Sequence, residues 1–296
     1  MFPLRKIVRF ILPALAFGLV ASTSASGQTA APLTIQVYNA DANSFHVNAV
    51  VVSGKTEALV IDSGFTRADA LRVAANVLDS GKVLKTIFIS NGDPDYYFGA
   101  QVLKAYFPQA QVLTTPAVRE KIAANLAGKI AFWGPKMGAN APQNPIVPNL
   151  LKGTTLSVDG EKVEVRGTTG ELASRPYVWI PSIKTIAGNV AIFGNLHVWT
   201  ADTQKDAELK AWLAQLDEIE ALHPTTVVPG HMAAGTPMDV SAIRYTRNYL
   251  QRFDEEAAKA KNSAALIDAM KKAYPQAGLD MALEIGAKVK KGEMQW

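Results

Sequence analysis

The chain has 296 residues, 48% of them hydrophobic and 19% charged, with a formal net charge of +4 and no cysteine. That length and composition supply a sizeable core for one large domain or two small ones, without covalent staples. The missing cysteine excludes disulfides, a lipoprotein anchor and thiolate metal ligands, and the small charge, with no basic run interleaved with aromatics, gives no reason to expect a nucleic-acid partner.

Residues 1–26 read as a leader. Arg5, Lys6 and Arg9 are basic, residues 10–20 are apolar, and residues 21–28 are small and polar. That order is the one a cleavable secretory signal needs, with a cut near Ala25 or Ser26. The apolar run is shorter than the ~20 residues of a membrane span. The expectation is a periplasmic or secreted protein with no stable membrane insertion after cleavage.

Downstream, residues 33–38, 45–52 and 57–61 alternate as strands, and residues 66–78 read as an amphipathic helix with Leu71, Ala74, Ala75 and Leu78 on one stripe. A strand at 84–89 ends in the polar cluster Ser90-Asn91-Gly92-Asp93-Pro94-Asp95, a helix is expected over about 97–106, and a strand over 112–114. Residues 133–148 hold four prolines among Gly and Asn and predict a long surface loop. Strand patterns return at 154–158, 162–166, 177–180 and 185–187, followed by a helix over 205–222 and a short buried strand at 225–228. From Asp239 onward the pattern is helical. Strands followed by alternating helices and strands in each half predict an α/β protein, two sheets packed face to face with helices outside. The expected divisions are a main domain over 30–238 and a helical extension over 239–296 packed on it.

Three strand ends carry clustered polar residues, where α/β proteins place chemistry. They are the junction from Ser90 through Tyr96-Tyr97-Phe98-Gly99, the pair Gly188-Asn189, and Val227-Val228-Pro229-Gly230-His231. In order and flanks these resemble the metallo-β-lactamase superfamily over about residues 33–231. Asp62-Ser63-Gly64, closing an apolar strand, matches the family's strand-ending Asp-Gly. The resemblance implies a four-layer αββα sandwich with a metal site along the shared edge of the sheets. Carried over position by position, the family's first two histidines fall on Asn91 and Asp93, the motif aspartate is kept as Asp95, and the next histidine becomes Tyr96. The later Gly-His falls on Gly170-Glu171, the bridging aspartate on Asn189, and the last histidine survives as His231.

The ligand set that the resemblance implies is therefore Asn91, Asp93, Asp95, Glu171, Asn189 and His231, mainly oxygen donors. It suits one divalent ion (manganese, iron or zinc) better than two zincs, or no metal at all. With an ion, Asp95 is the candidate catalytic residue orienting a water toward a small ester, lactone or amide. Without one, the altered cleft is the candidate site of a non-catalytic ligand-binding protein. Asp93-Pro94-Asp95 also reads as a helix N-cap, and His231 as a plain loop histidine. His197 and Trp199 alternate along an extended segment, so both are candidates for the pocket wall, as are Tyr96 and Trp133.

Overall fold

Period-two alternation writes two apolar faces into the central strands, and each face meets a different layer. The computed structural model describes residues 32–296, which fold as one compact unit; the expected leader lies outside the described residues. The first sheet joins β1 (Thr34–Asn39), β2 (Asn48–Ser53), β3 (Glu57–Ile61), β4 (Val83–Ile89), β5 (Gln111–Thr114) and β6 (Asn149–Leu150) in sequence order. It is antiparallel from β1 to β3 and parallel from β3 to β6. The second half supplies β7 (Thr155–Val158), β8 (Glu161–Arg166), β9 (Tyr177–Ile180), β10 (Thr185–Ala187), β11 (Phe193–Gly194), β12 (Thr226–Val227) and β13 (His231–Met232). Its main sheet runs β12-β10-β9-β8-β7, while β11 and β13 pair separately.

Between the sheets, Val50, Val52, Leu59, Ile61 and Phe88 pack on Val163, Val165, Val178 and Ile180. On the outer face of the first sheet, Ala49, Val51, Ala58 and Val60 meet α1 (Arg67–Ser80), α3 (Ala100–Tyr106) and α4 (Pro116–Met137) through Val73, Val77, Leu103 and Ile122. On the outer face of the second, Tyr177, Trp179 and Ile186 meet Trp212 and Leu216 of α5 (Asp206–Ala221). The same cluster takes in Tyr249 of α6 (Ser241–Lys259), Leu266 of α7 (Ser263–Ala273) and Leu283 of α8 (Asp280–Lys290). The arrangement is the expected mixed α/β fold, and its layers are consistent with an αββα sandwich.

Three expectations are corrected. The buried face of α1 is Ala70, Val73, Ala74 and Val77, whereas Leu71 and Leu78 are 43% and 61% exposed. Val73 and Val77 pack on the valines of the sheet, and a small residue is needed at Ala70, beside Gly99. Residues 133–137 are not loop but the last turns of α4, which continues through Pro135. Trp133 there packs edge-on against Phe65, 5.2 Å away, and Phe45, 5.5 Å away, so tertiary contacts outweigh a locally poor helix former. The helix expected over 97–106 is two pieces, α2 (Pro94–Tyr97) and α3. The break has a cause: the Gly99 N–H donates to Gly64 O at 3.1 Å, and a Cβ at Gly99 would collide with the carbonyl of Ser63 and the methyl of Ala70.

Candidate functional site

The chain ends of β4, β10 and β12 converge, so the three polar clusters meet. Asp62, at the end of β3, sits at φ 62°, a conformation side chains rarely adopt. Its two carboxyl oxygens accept from Ser90 N and Ser90 Oγ, both at 2.7 Å, which ties β3 to the junction after β4. From that junction α2 carries Asp95 and Tyr96 inward. The Tyr96 hydroxyl donates to Asn189 O at 3.2 Å, and the side-chain amide of Asn189 donates to Val228 O at 3.0 Å. Gly230 is required where these segments touch, because a Cβ there would collide with Asn189 O and the Tyr96 hydroxyl. His231 follows, held by the pairing of β13 with β11.

The polar floor is Asp95 and His231. Their side chains are 9% and 8% exposed, and Asp95 Oδ2 stands 3.6 Å from His231 Nε2, beyond hydrogen-bond length. His231 Nδ1 donates to Phe45 O at 2.9 Å. A carbonyl only accepts, so the proton is on Nδ1 and Nε2 is left as an acceptor. Phe193 stacks on the imidazole, ring centroids 5.0 Å apart, and Tyr96 meets it edge-on at 5.5 Å. Burial, reinforced by the charge of Asp93, pushes the Asp95 carboxyl up to about 8. Burial likewise holds the His231 imidazole down at about 4. At neutral pH the two therefore face each other uncharged. Burial alone would also raise Asp93, but the charges of Lys121, Lys129 and Arg175 outweigh it and hold that carboxyl below the usual range. Lys121 lies 3.2 Å from Asp93 and 3.9 Å from Asp202.

Asp95 and His231 open into an apolar cleft that is continuous with solvent. Phe45, Phe65 and Trp133 form one ring cluster on its wall. Trp199 and Trp296 form another, 5.1 Å apart and edge to face, with Trp296 Nε1 donating to Asp202 at 2.5 Å. Val190, Phe193, Leu279 and Met281 add apolar surface, and Asp93, Lys129 and Asp202 add charge.

Of the sequence-predicted site residues, Asp93, Asp95, Tyr96, Trp133, Trp199 and His231 line this cleft. The other four do not. Glu171 is exposed and lines a neighbouring groove with Lys121, Arg175 and Asp202. Asn91 turns its Oδ1 back to accept from Asp93 N at 2.9 Å, leaving its buried NH2 group without a partner. Asn189 is consumed by backbone, its Oδ1 accepting from Ile192 N at 2.9 Å. His197 is buried behind the cleft, its Nδ1 3.0 Å from the Tyr249 hydroxyl; the local alternation of residues 197–199 does not survive because that segment is packed under α6 and α8. Asp93 stands at the N-cap position of α2 but makes no capping hydrogen bond, since its carboxyl is turned to Lys121. Phe45, Phe65, Lys129, Phe193, Asp202, Leu279, Met281 and Trp296 also line the cleft, and no local pattern in the sequence marks them.

The sequence profile of the metallo-beta-lactamase superfamily matches residues 42–231. The chain belongs to the metallo-beta-lactamase superfamily. Its fold is similar to that of solved metallo-beta-lactamase family structures. A metallo-beta-lactamase family protein from Thermus thermophilus superposes with a TM-score of 0.59 at 18% identity, covering 88% of this chain and 93% of that one. A metallo-beta-lactamase from Pontibacter korlensis gives 0.53 at 19% identity, covering 74% of this chain and 95% of that one. The DIM-1 metallo-beta-lactamase gives 0.54 at 18% identity, covering 74% and 93%. At these identities the likeness is one of fold. No curated protein sequence shows significant similarity to the chain.

Metallo-beta-lactamase superfamily members usually bind zinc or other divalent metals. The residues here do not fit that group. A catalytic zinc needs three protein donors and an open position, and the described residues include no such group of three His, Cys, Asp or Glu side chains. Asn189 has no free side-chain atom, Asn91 presents a donor, Asp93 is held by Lys121, and Glu171 lies elsewhere. Tyr96 fills the space beside His231. What is left is a pair, Asp95 and His231.

Proposed function

We propose that this protein carries the hydrolase-like fold of the superfamily but uses the altered cleft to bind a small, largely apolar molecule without metal-dependent hydrolysis. The observation that carries the reading is the state of Asn189, whose oxygen and nitrogen are both committed to backbone where the family places a bridging carboxylate. Loss of the ligands is accompanied by construction of something else: aromatic walls above a buried polar floor, the usual make-up of a small-molecule site. The leader pattern of residues 1–26 supports action outside the cytoplasm, and no described helix is long and apolar enough to cross a membrane.

One observation favours a second reading. Asp95 Oδ2 and His231 Nε2 are 3.6 Å apart, close enough to share an ion, as hydrolysis of a small ester, lactone or amide at one metal would require. The lack of a third donor among the described residues weighs against it. The test is a thermal-shift screen of the full chain against small aromatic and aliphatic metabolites, run beside an ester, lactone and amide turnover screen. The account expects Tm to rise with one ligand class and no turnover. Turnover abolished both by a chelator and by His231→Ala would contradict it.

A further inference from the structure

The floor of the cleft presents two buried polar side chains, Asp95 and His231, to which no other described side chain donates. Asp95 Oδ2 and His231 Nε2 are 3.6 Å apart, both side chains are more than nine-tenths buried, and both line the cleft. His231 Nε2 is an acceptor because Nδ1 already gives its proton to Phe45 O. Nε2 and, in its ionised form, the Asp95 carboxyl are acceptors that face the open cleft, where the donors of a ligand can reach them. Resting on the binding reading above, we propose that the ligand is an organic ammonium, a primary or secondary amine with an apolar or aromatic body, whose N–H groups are shared between Asp95 and His231.

The remaining lining agrees. Nitrogen placed at an ordinary hydrogen-bond length of about 2.8 Å from both acceptors forms a triangle on the 3.6 Å base, which two N–H bonds of one ammonium can span. The carboxyl groups of Asp93 and Asp202 line the cleft with the ammonium of Lys129, and both are also approached by Lys121 outside the lining, so the ionised Asp95 is the carboxylate free to meet a cation. The ring faces of Phe45, Trp133 and Trp199 carry the negative side of their quadrupoles, which attracts a cation and repels an anion. A carboxylate ligand would meet the same groups as repulsion, and a neutral alcohol could offer only one O–H to the two acceptors. A cation seated beside Asp95 also offsets the burial penalty on its ionised form, so the amine binds with that carboxyl charged. An organic cation thus sits where the superfamily's architecture seats a metal cation.

The test compares three probes of nearly one shape on the full chain: 2-phenylethylamine, 2-phenylethanol and 3-phenylpropanoate, by calorimetry and by tryptophan fluorescence, since Trp133, Trp199 and Trp296 line the cleft. The amine is expected to bind about tenfold or more tightly than either analogue, as a charge-assisted pair should. Asp95→Asn, close in shape, is expected to abolish that preference while leaving the melting transition cooperative. Lys129→Gln, which removes the one cation of the lining, is expected to tighten the amine several-fold. Equal or tighter binding of the alcohol or the carboxylate, or an amine preference untouched by both variants, would overturn the inference while leaving a small-molecule binding protein. Failure of all three probes together with stoichiometric metal uptake would overturn both.

Discussion

Asn189 shows how one atom can decide between two chemistries. Aspartate at this place would offer charge to a metal, whereas asparagine offers an N–H to Val228 O and an oxygen to Ile192 N. Restoring the acid is therefore predicted to damage the protein without restoring a metal site. In Asn189→Asp a buried carboxylate oxygen would face the Val228 carbonyl, costing about 2–4 kcal/mol by the penalty for an unmatched buried group. Chemical denaturation of the two proteins measures it; a variant as stable as the parent that also takes up zinc would contradict the account. The positions of such residues are legible in the sequence: Asn91, Asp93, Asp95, Asn189 and His231 are all marked by their place after a strand. Their roles are not, because whether an amide ligates or clamps depends on which backbone groups lie within hydrogen-bond reach, and residues 189 and 228 are brought together only by the fold.

At the scale of elements, glycines separate contact from freedom. Gly99 lies between α2 and α3 where the backbone of Ser63 passes too close for a Cβ. Gly128 is an exposed position inside α4 with open space around it. Gly99→Ala is therefore predicted to destabilise by about 2 kcal/mol or more through overpacking, and Gly128→Ala to stabilise by about 0.5–1 kcal/mol through helix propensity. Opposite shifts of the thermal midpoint would support both; same-sign shifts would sink the reading of the α2–α3 break. The strands are readable because β3, β9 and β10 are short runs rich in branched apolar residues bounded by turn signals. The face of α1 is not, because hydrophobicity alone favours Leu71 and Leu78. Val73 and Val77 are the residues whose phase meets the sheet.

The whole molecule builds its cleft from distant segments. Phe45, Trp133, Trp199 and Trp296 come from four separate stretches, and no local pattern places them together; closure of the sandwich and docking of the last helices do. Burial of carboxyl groups, one in the cleft and one behind it, also sets a pH dependence. Asp62 and Asp95 keep their protons in the fold up to about 7 and about 8, against 3.8 for an ordinary aspartate, chiefly because they are desolvated. Their contribution to stability is full below 3.8 and is lost as pH rises through those folded values. His231 runs the other way: with a folded value of about 4 against 6.5, its contribution is present above 6.5 and lost as pH falls toward 4. Between about pH 6.5 and 8.5 the carboxyls act without that opposition, so Tm is predicted to fall over this window, and Asp95→Asn to flatten the fall. A flat wild-type profile, or an unchanged slope in the variant, would contradict the buried, neutral Asp95.

The central claim is that the cleft has exchanged a metal site for an apolar binding site with a two-acceptor floor. It is tested most directly by zinc and manganese titration of the full chain, followed by calorimetry and by elemental mass spectrometry after desalting. The account predicts no stoichiometric uptake of either ion, and the same trace for His231→Ala as for the parent. Uptake near one ion per chain, abolished by His231→Ala, would contradict it and return the protein to the metal-dependent hydrolases of its superfamily.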